Sequence, residues 1–219
     1  MNAITPQMWA AVWKGLWETL QMTGITSFFT VLIGLPLGVL LFALPNLGRK
    51  WRPLSSVLNA VVNVTRSFPF AILMLSLIPI TRMIVGSSVG PVAATVPLTV
   101  SAVPFFARLV ETALRDLPTG KTDAAIAMGS SRSQIVRKVW LPEAMPNLVS
   151  SITTTIVTII GYSAMAGLVG GGGLGRLAYN YGYQRFIPEV MIVTIVILIV
   201  IVQVVQLVGD LIARSVDHR

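Results

Sequence analysis

Residues Leu117 to Leu148 read LPTGKTDAAIAMGSSRSQIVRKVWLPEAMPNL, and the order of residue types here decides how the rest of the chain is arranged. Thr122 to Met128 is rich in alanine, the strongest helix former, and predicts a short helix. Gly129, which can take positive φ, marks a turn. Ser131 and Gln134 are spaced as a capping box, in which each side chain satisfies a backbone N–H at a helix start. A second helix therefore opens there and meets the first at an angle. In it Ile135, Val139 and Leu141 form an apolar side while Arg132, Arg137 and Lys138 stay polar. Pro142 is expected to end it, because proline lacks the N–H of the next turn. Two short helices joined at an elbow make a knob shaped for a groove on another protein.

The surrounding chain belongs in a bilayer. Of 219 residues 54% are hydrophobic and only 11% are charged, with a mean hydropathy of +0.80, far above the soluble norm. Crossing the hydrocarbon layer takes roughly 20 apolar residues. Five such stretches are legible, over 21–44, 54–80, 89–114, 147–168 and 188–212. The fold class is an all-α membrane protein of five transmembrane helices, with the loop 115–146 as its main feature outside the membrane. Cysteine is absent and the one histidine is His218, so thiolate chemistry, imidazole metal sites and histidine acid–base catalysis are excluded; no catalytic residue and no metal site is expected.

The net charge of +8 does not indicate nucleic acid, because the basic residues fall between apolar segments rather than on one solvated face. Arg49, Lys50 and Arg52 follow the first span, Arg115, Lys121, Arg132, Arg137 and Lys138 the third, and Arg214 and Arg219 the fifth; the other side has Lys14, Arg82, Arg176 and Arg185. The positive-inside rule then predicts a periplasmic N-terminus and a cytoplasmic tail over 213–219. Lys14 and Glu18 lead straight into the first span without a small-residue cleavage site, so no cleaved signal is expected. Trp9, Trp13 and Trp17 recur every four residues. On a short helix over 7–19 they share one face, which suits an interfacial N-terminal segment (1–20) at the lipid headgroups; a soluble helix packed on a partner is the alternative.

The elbow carries a resemblance. Asp123-Ala124-Ala125, three residues, Gly129, nine residues, Val139, one residue and Leu141-Pro142 resemble the EAA motif of ATP-binding-cassette (ABC) importer permeases, with Asp123 for the family glutamate and Val139 for the usual isoleucine. The likeness extends over TRSFPFAILML (Thr65 to Leu75), VPLTVSAVPFFARLVE (Val96 to Glu111) and GYSAMAGLVGGGGLG (Gly161 to Gly175), and is strongest to permeases of methionine importers. It implies a type I importer permease fold in the inner membrane, a homodimer, two cytoplasmic ATPase subunits docked on the elbow, and a periplasmic substrate-binding lipoprotein. It also implies that ATP is bound by the partners, with no cofactor in this chain. The residues independently agree, since no GxxxxGK[ST] loop is present. An ABC permease for another small solute, or an ion-coupled secondary transporter working alone, are the rivals. The latter class usually needs an acid inside the membrane, whereas Glu111, Glu189 and Asp210 lie near span ends.

Four residues are candidates for the substrate path or its gate. Arg66 lies near the middle of the second span, with Asn59, Asn63 and Thr65 close in sequence; its charge has to be compensated either within the protein, by carbonyls that Pro69 frees around Thr65 or by a carboxylate from another helix, or by a substrate carboxylate. Tyr162, Ser163 and Met165 offer two hydroxyls and a thioether, for a gate or for packing. Gly34, Pro36, Gly38, Pro69, Pro97 and Pro104 serve either close packing or kinks along a path. Gly170, Gly172 and Gly175 match GxGxxG, but they follow an apolar span rather than a strand. They are expected to let the fourth and fifth spans and their connecting loop approach closely.

Overall fold

The computed structural model describes residues 5–217; Met1 to Ile4 of the N-terminal segment, and His218 and Arg219 of the tail, lie outside them. Every regular element among the described residues is helical. The first helix, α1 (Pro6–Ala43), opens on Thr5, whose side chain accepts the Met8 N–H, and runs unbroken for 38 residues, about 57 Å at 1.5 Å per residue. That length exceeds a ~30 Å hydrocarbon layer. The tryptophan-bearing stretch is therefore not a separate short helix: nothing between Trp17 and Gln21 breaks the backbone ladder, and the first span continues it. Trp13 and Trp17 stay 65% and 70% exposed on its outer face.

The second predicted span is broken. Helices α2 (Arg52–Ser67) and α3 (Phe70–Ser76) meet at 103°, followed by α4 (Ile78–Val85). Pro69 causes the break: it has no N–H to give the ladder and forces Phe68 into extended backbone, with φ −72° and ψ 128°. Helix α5 (Pro91–Arg115) is the third span, and its interior Pro97 and Pro104 are buried against neighbours without interrupting it.

Helix α1 packs along α5 through small residues. A Cβ on Gly38 would lie 2.5 Å from Val110 Cβ and 2.6 Å from the Ala107 carbonyl oxygen, and one on Gly34 2.8 Å from a Phe106 ring carbon. Only glycine lets the two backbones come this close, which is the packing role of Gly34 and Gly38. Phe106, Val110, Leu114, Ala144 and Leu148 form a buried cluster where α5 meets the fourth span near the elbow, while Met22, Phe70, Met74, Leu98 and Ala166 form another beside the break.

After α5 come α6 (Thr119–Ala127) and α7 (Arg132–Ile135). A wide turn, Val136–Trp140, then leads directly into the fourth span, α8 (Leu141–Ala166). Pro142 does not end the second elbow helix, contrary to the sequence reading. Widening the turn before it, with the Leu141 N–H reaching back to the Val136 carbonyl, lets the chain pass the proline without a break. The helical course from Arg132 to Gly171 is 40 residues long. The glycine-rich segment follows, with α9 (Gly173–Leu177), before the fifth span, α10 (Pro188–Val216).

Candidate coupling and translocation sites

The elbow is built by local signals. At the end of α6 the Met128 N–H donates to the Ala124 carbonyl at 3.0 Å, Gly129 N–H to Ile126 at 2.9 Å and Ser130 N–H to Ala125 at 3.0 Å. This closes the helix around Gly129, whose φ is +77°, the left-handed conformation that a residue without Cβ adopts freely. A Cβ there would meet nothing within 4 Å, so the glycine is required by backbone angle and not by crowding inside this chain. The capping box is present: Gln134 Oε1 accepts the Ser131 N–H at 2.7 Å, and Ser131 Oγ accepts the Gln134 N–H at 3.4 Å.

Two side-chain ties fasten α6 to the base of α8. Trp140 Nε1 donates to Thr122 Oγ1 at 3.1 Å, and Lys121 Nζ pairs with Glu143 at 2.6 Å. The Trp140 ring also stands edge-on to Phe42 of α1, at 4.8 Å between centroids. Of the motif residues, Asp123, Ala124, Gly129 and Pro142 are exposed, Ala125 is buried, and Val139 and Leu141 are half-buried against the bundle. The structure thus divides them into an outward set and an anchoring set. It adds two residues that the motif does not contain: Ile126 and Met128 stand 58% and 79% exposed beside Gly129.

The candidate path residues are not gathered together. Arg66 is exposed in the last turn of α2, just before the break, with no hydrogen bond or ion pair among the described residues. The asparagines expected beside it serve another arginine: Arg108 of α5 donates to Asn59 Oδ1 at 3.1 Å and Asn63 Oδ1 at 2.8 Å. Arg108 also pairs with Glu111 at 2.5 Å, and Arg115 closes the group from the other carboxylate oxygen. Glu111 is 3% exposed, an acid inside the bundle held by two guanidiniums three and four positions away on its own helix; the sequence reading missed it by placing Glu111 near a span end, and missed the asparagines because they lie 49 and 45 positions from Arg108.

Tyr162, Ser163 and Met165 do not form one surface. Tyr162 stacks on Phe70 at 4.7 Å, with 1° between the ring planes. Ser163 is buried and donates to the Ile160 carbonyl of its own helix at 2.7 Å, while Met165 is 42% exposed. The glycine-rich segment packs closely, as expected, but against α1 and α8. Glu18 accepts the Gly173 N–H at 2.7 Å and Thr19 the Leu174 N–H at 2.9 Å, and a Cβ on Gly175 would fall 2.1 Å from the Ala164 carbonyl oxygen. Among the described residues no group of three or more His, Cys, Asp or Glu is placed to hold a metal.

Comparison with known proteins agrees with this architecture. A chain of the MetNI methionine ABC transporter, solved in inward-facing conformations, superposes with a TM-score of 0.94 at 48% identity, covering 98% of this chain and all of that one. An amino acid ABC transporter solved with histidines shares the fold, with a TM-score of 0.78 at 21% identity over 95% of each chain. The probable D-methionine transport system permease protein MetI of Vibrio cholerae is 50% identical over 204 residues, 93% of this chain and 91% of that protein. Its counterpart in Pasteurella multocida is 48% identical over 218 residues, 99% of this chain and all of that protein. Residues 34–219 match the model of binding-protein-dependent transport system inner membrane components, and on that match, over most of a helical bundle with an exposed elbow, the chain belongs to this family.

Proposed function

We propose that the chain is the permease subunit of an ATP-driven importer that carries methionine across the inner membrane, as a homodimer served by two ATPase subunits and a substrate-binding lipoprotein. The observation that carries this reading is the elbow. It presents Ile126 and Met128 beside an unobstructed Gly129, and it is fastened to a spanning helix. The substrate follows from relatives named as D-methionine permeases at about half identity along nearly the full chain.

The coupling residues then have distinct roles. Asp123, Ala124, Gly129 and Pro142 face the ATPase, while Ala125, Val139 and Leu141 seat the elbow on the bundle. Because α7 continues through the wide turn into α8, and Lys121–Glu143 and Trp140–Thr122 hold α6 to the same base, a push on the elbow moves α8 as a lever rather than flexing a loop. Such rigid-body motion is how paired ATPases would alternate access to the path. The basic elbow side is cytoplasmic and the N-terminus periplasmic in this arrangement. Arg66, which has no carboxylate partner among the described residues, supplies the charge that attracts the substrate carboxylate.

The secondary-transporter reading is disfavoured by one observation: the buried acid Glu111 is held by both Arg108 and Arg115, and a carboxylate so paired is poorly placed to take up and release a coupling ion. The test is uptake of radiolabelled methionine into proteoliposomes containing the permease, the ATPase and the binding protein. Uptake that requires ATP and all three components is expected. Uptake by the permease alone along an ion gradient would overturn the assignment.

A further inference from the structure

Between α8 and α10 lies a cavity of about 420 Å³ whose walls are mostly polar. Ser150, Thr153, Thr154 and Thr158 line it from α8, and Gln206 and Asp210 from α10. Each of the four hydroxyls donates its hydrogen to the carbonyl four residues before it, at distances from 2.8 to 3.1 Å. Their oxygens therefore face the cavity with lone pairs only. The Asp210 carboxylate makes no hydrogen bond and no ion pair among the described residues.

The position of Asp210 is built and not incidental. Its neighbour Gly209 is buried, and a Cβ there would lie 2.0 Å from Thr153 Oγ1, so the two helices touch at this level and the cavity opens immediately beside the contact. On α10, Val190 to Val202 is apolar except for Thr194, which is buried and bonded to its own helix. Then Gln203, Gln206 and Asp210 fall at i, i+3 and i+7, one polar face that Arg214 continues a turn further on. Toward the C-terminal end of a spanning helix, where Asp210 lies, such a face has to meet water or a polar ligand.

An array of oxygen acceptors around one unpaired carboxylate suits a positive group with several N–H donors. We propose that this cavity is a subsite for the ammonium group of the transported amino acid on its way to the cytoplasm, with Asp210 as the counter-charge and the α8 hydroxyls as acceptors. The proposal rests on the reading of the chain as an amino-acid permease. Val157, which also lines the cavity, gives an apolar wall for the side chain. An inorganic cation shares the same chemistry, and the test separates the two.

The test uses the complete complex in proteoliposomes, with radiolabelled methionine supplied below half-saturation. Absence of uptake by the parental complex would remove the parent reading itself. With parental uptake established, Asp210→Asn should lower it about tenfold or more, the loss expected for one charge-assisted hydrogen bond, while complex yield and basal ATPase activity stay parental. Asp210→Glu should restore most of the uptake, and replacing alkali cations by choline should leave the parental rate unchanged. Parental uptake by Asp210→Asn overturns the subsite, and a choline effect matching the Asp210→Asn loss assigns the cavity to an inorganic cation instead. Should Asp210→Asn not assemble, the isosteric pair Thr154→Val and Thr158→Val decides. A several-fold loss of uptake supports the proposal, and unchanged uptake overturns it.

Discussion

Gly38 and Gly129 are the same residue placed by opposite demands. At Gly38 the backbone is ordinary α-helix and the constraint is space, since α5 lies where a side chain would be. At Gly129 the space is open and the constraint is the backbone angle of +77°. The first glycine belongs to the seam that makes the protomer one body; the second belongs to a projection whose exposed apolar residues have nothing to cover them among the described residues. The two regions should therefore fail differently, the seam by loss of the folded permease and the elbow by loss of coupling in a permease that is intact.

The largest effect is expected at the seam. Gly38→Leu cannot be accommodated by a rotamer change, because the first added carbon already meets backbone oxygen, and about 3 kcal/mol or more of destabilisation is expected from overpacking. Thermal unfolding in detergent and yield of the dimer measure it; a parental melting temperature would show that α1 and α5 separate easily. Next comes Glu111→Ala, which leaves Arg108 and Arg115 facing each other without their shared carboxylate. Arg115 is mostly exposed and Arg108 keeps its two asparagines, so the loss should be about 1–2 kcal/mol, visible in the same unfolding measurement and tightening the contrast, since this group also belongs to the body of the bundle. The smallest effect is at the elbow's own cap. Ser131→Ala removes one side of the capping box and should cost about 1 kcal/mol locally. It should leave the melting temperature of the permease unchanged while raising hydrogen exchange at the start of α7; unchanged exchange there would show that the cap contributes nothing.

The elbow was legible in the sequence because its determinants are near neighbours: an alanine-rich run, a glycine, and a serine and glutamine three positions apart. The four unbroken spans were legible from apolar length for the same reason. What sequence reading missed depends on partners distant in the chain. Asn59 and Asn63 stand a few residues before Arg66 in the sequence, but they bond to Arg108 on another helix. Pro69 was visible as an irregularity, yet a proline does not dictate a bend angle, and the 103° break depends on how α3 packs beneath Tyr162 and Leu98. Pro142 was read as a stop. Its missing N–H instead falls next to a widened turn, so the elbow and the fourth span form one continuous helical course, on which the proposed coupling depends.

The central claim is that the elbow transmits ATPase motion through a left-handed residue at position 129, and a pair of substitutions there tests it most directly. Asparagine tolerates that conformation, whereas a β-branched valine is penalised by about 1–3 kcal/mol. Methionine uptake per ATP hydrolysed should be measured in proteoliposomes for parental, Gly129→Asn and Gly129→Val complexes, together with the melting temperature of each permease. The account predicts three similar melting temperatures, near-parental uptake for Gly129→Asn, and uptake for Gly129→Val reduced at least tenfold, through lost ATPase binding or through hydrolysis that no longer drives transport. A Gly129→Val complex that assembles fully and transports at the parental rate would contradict it.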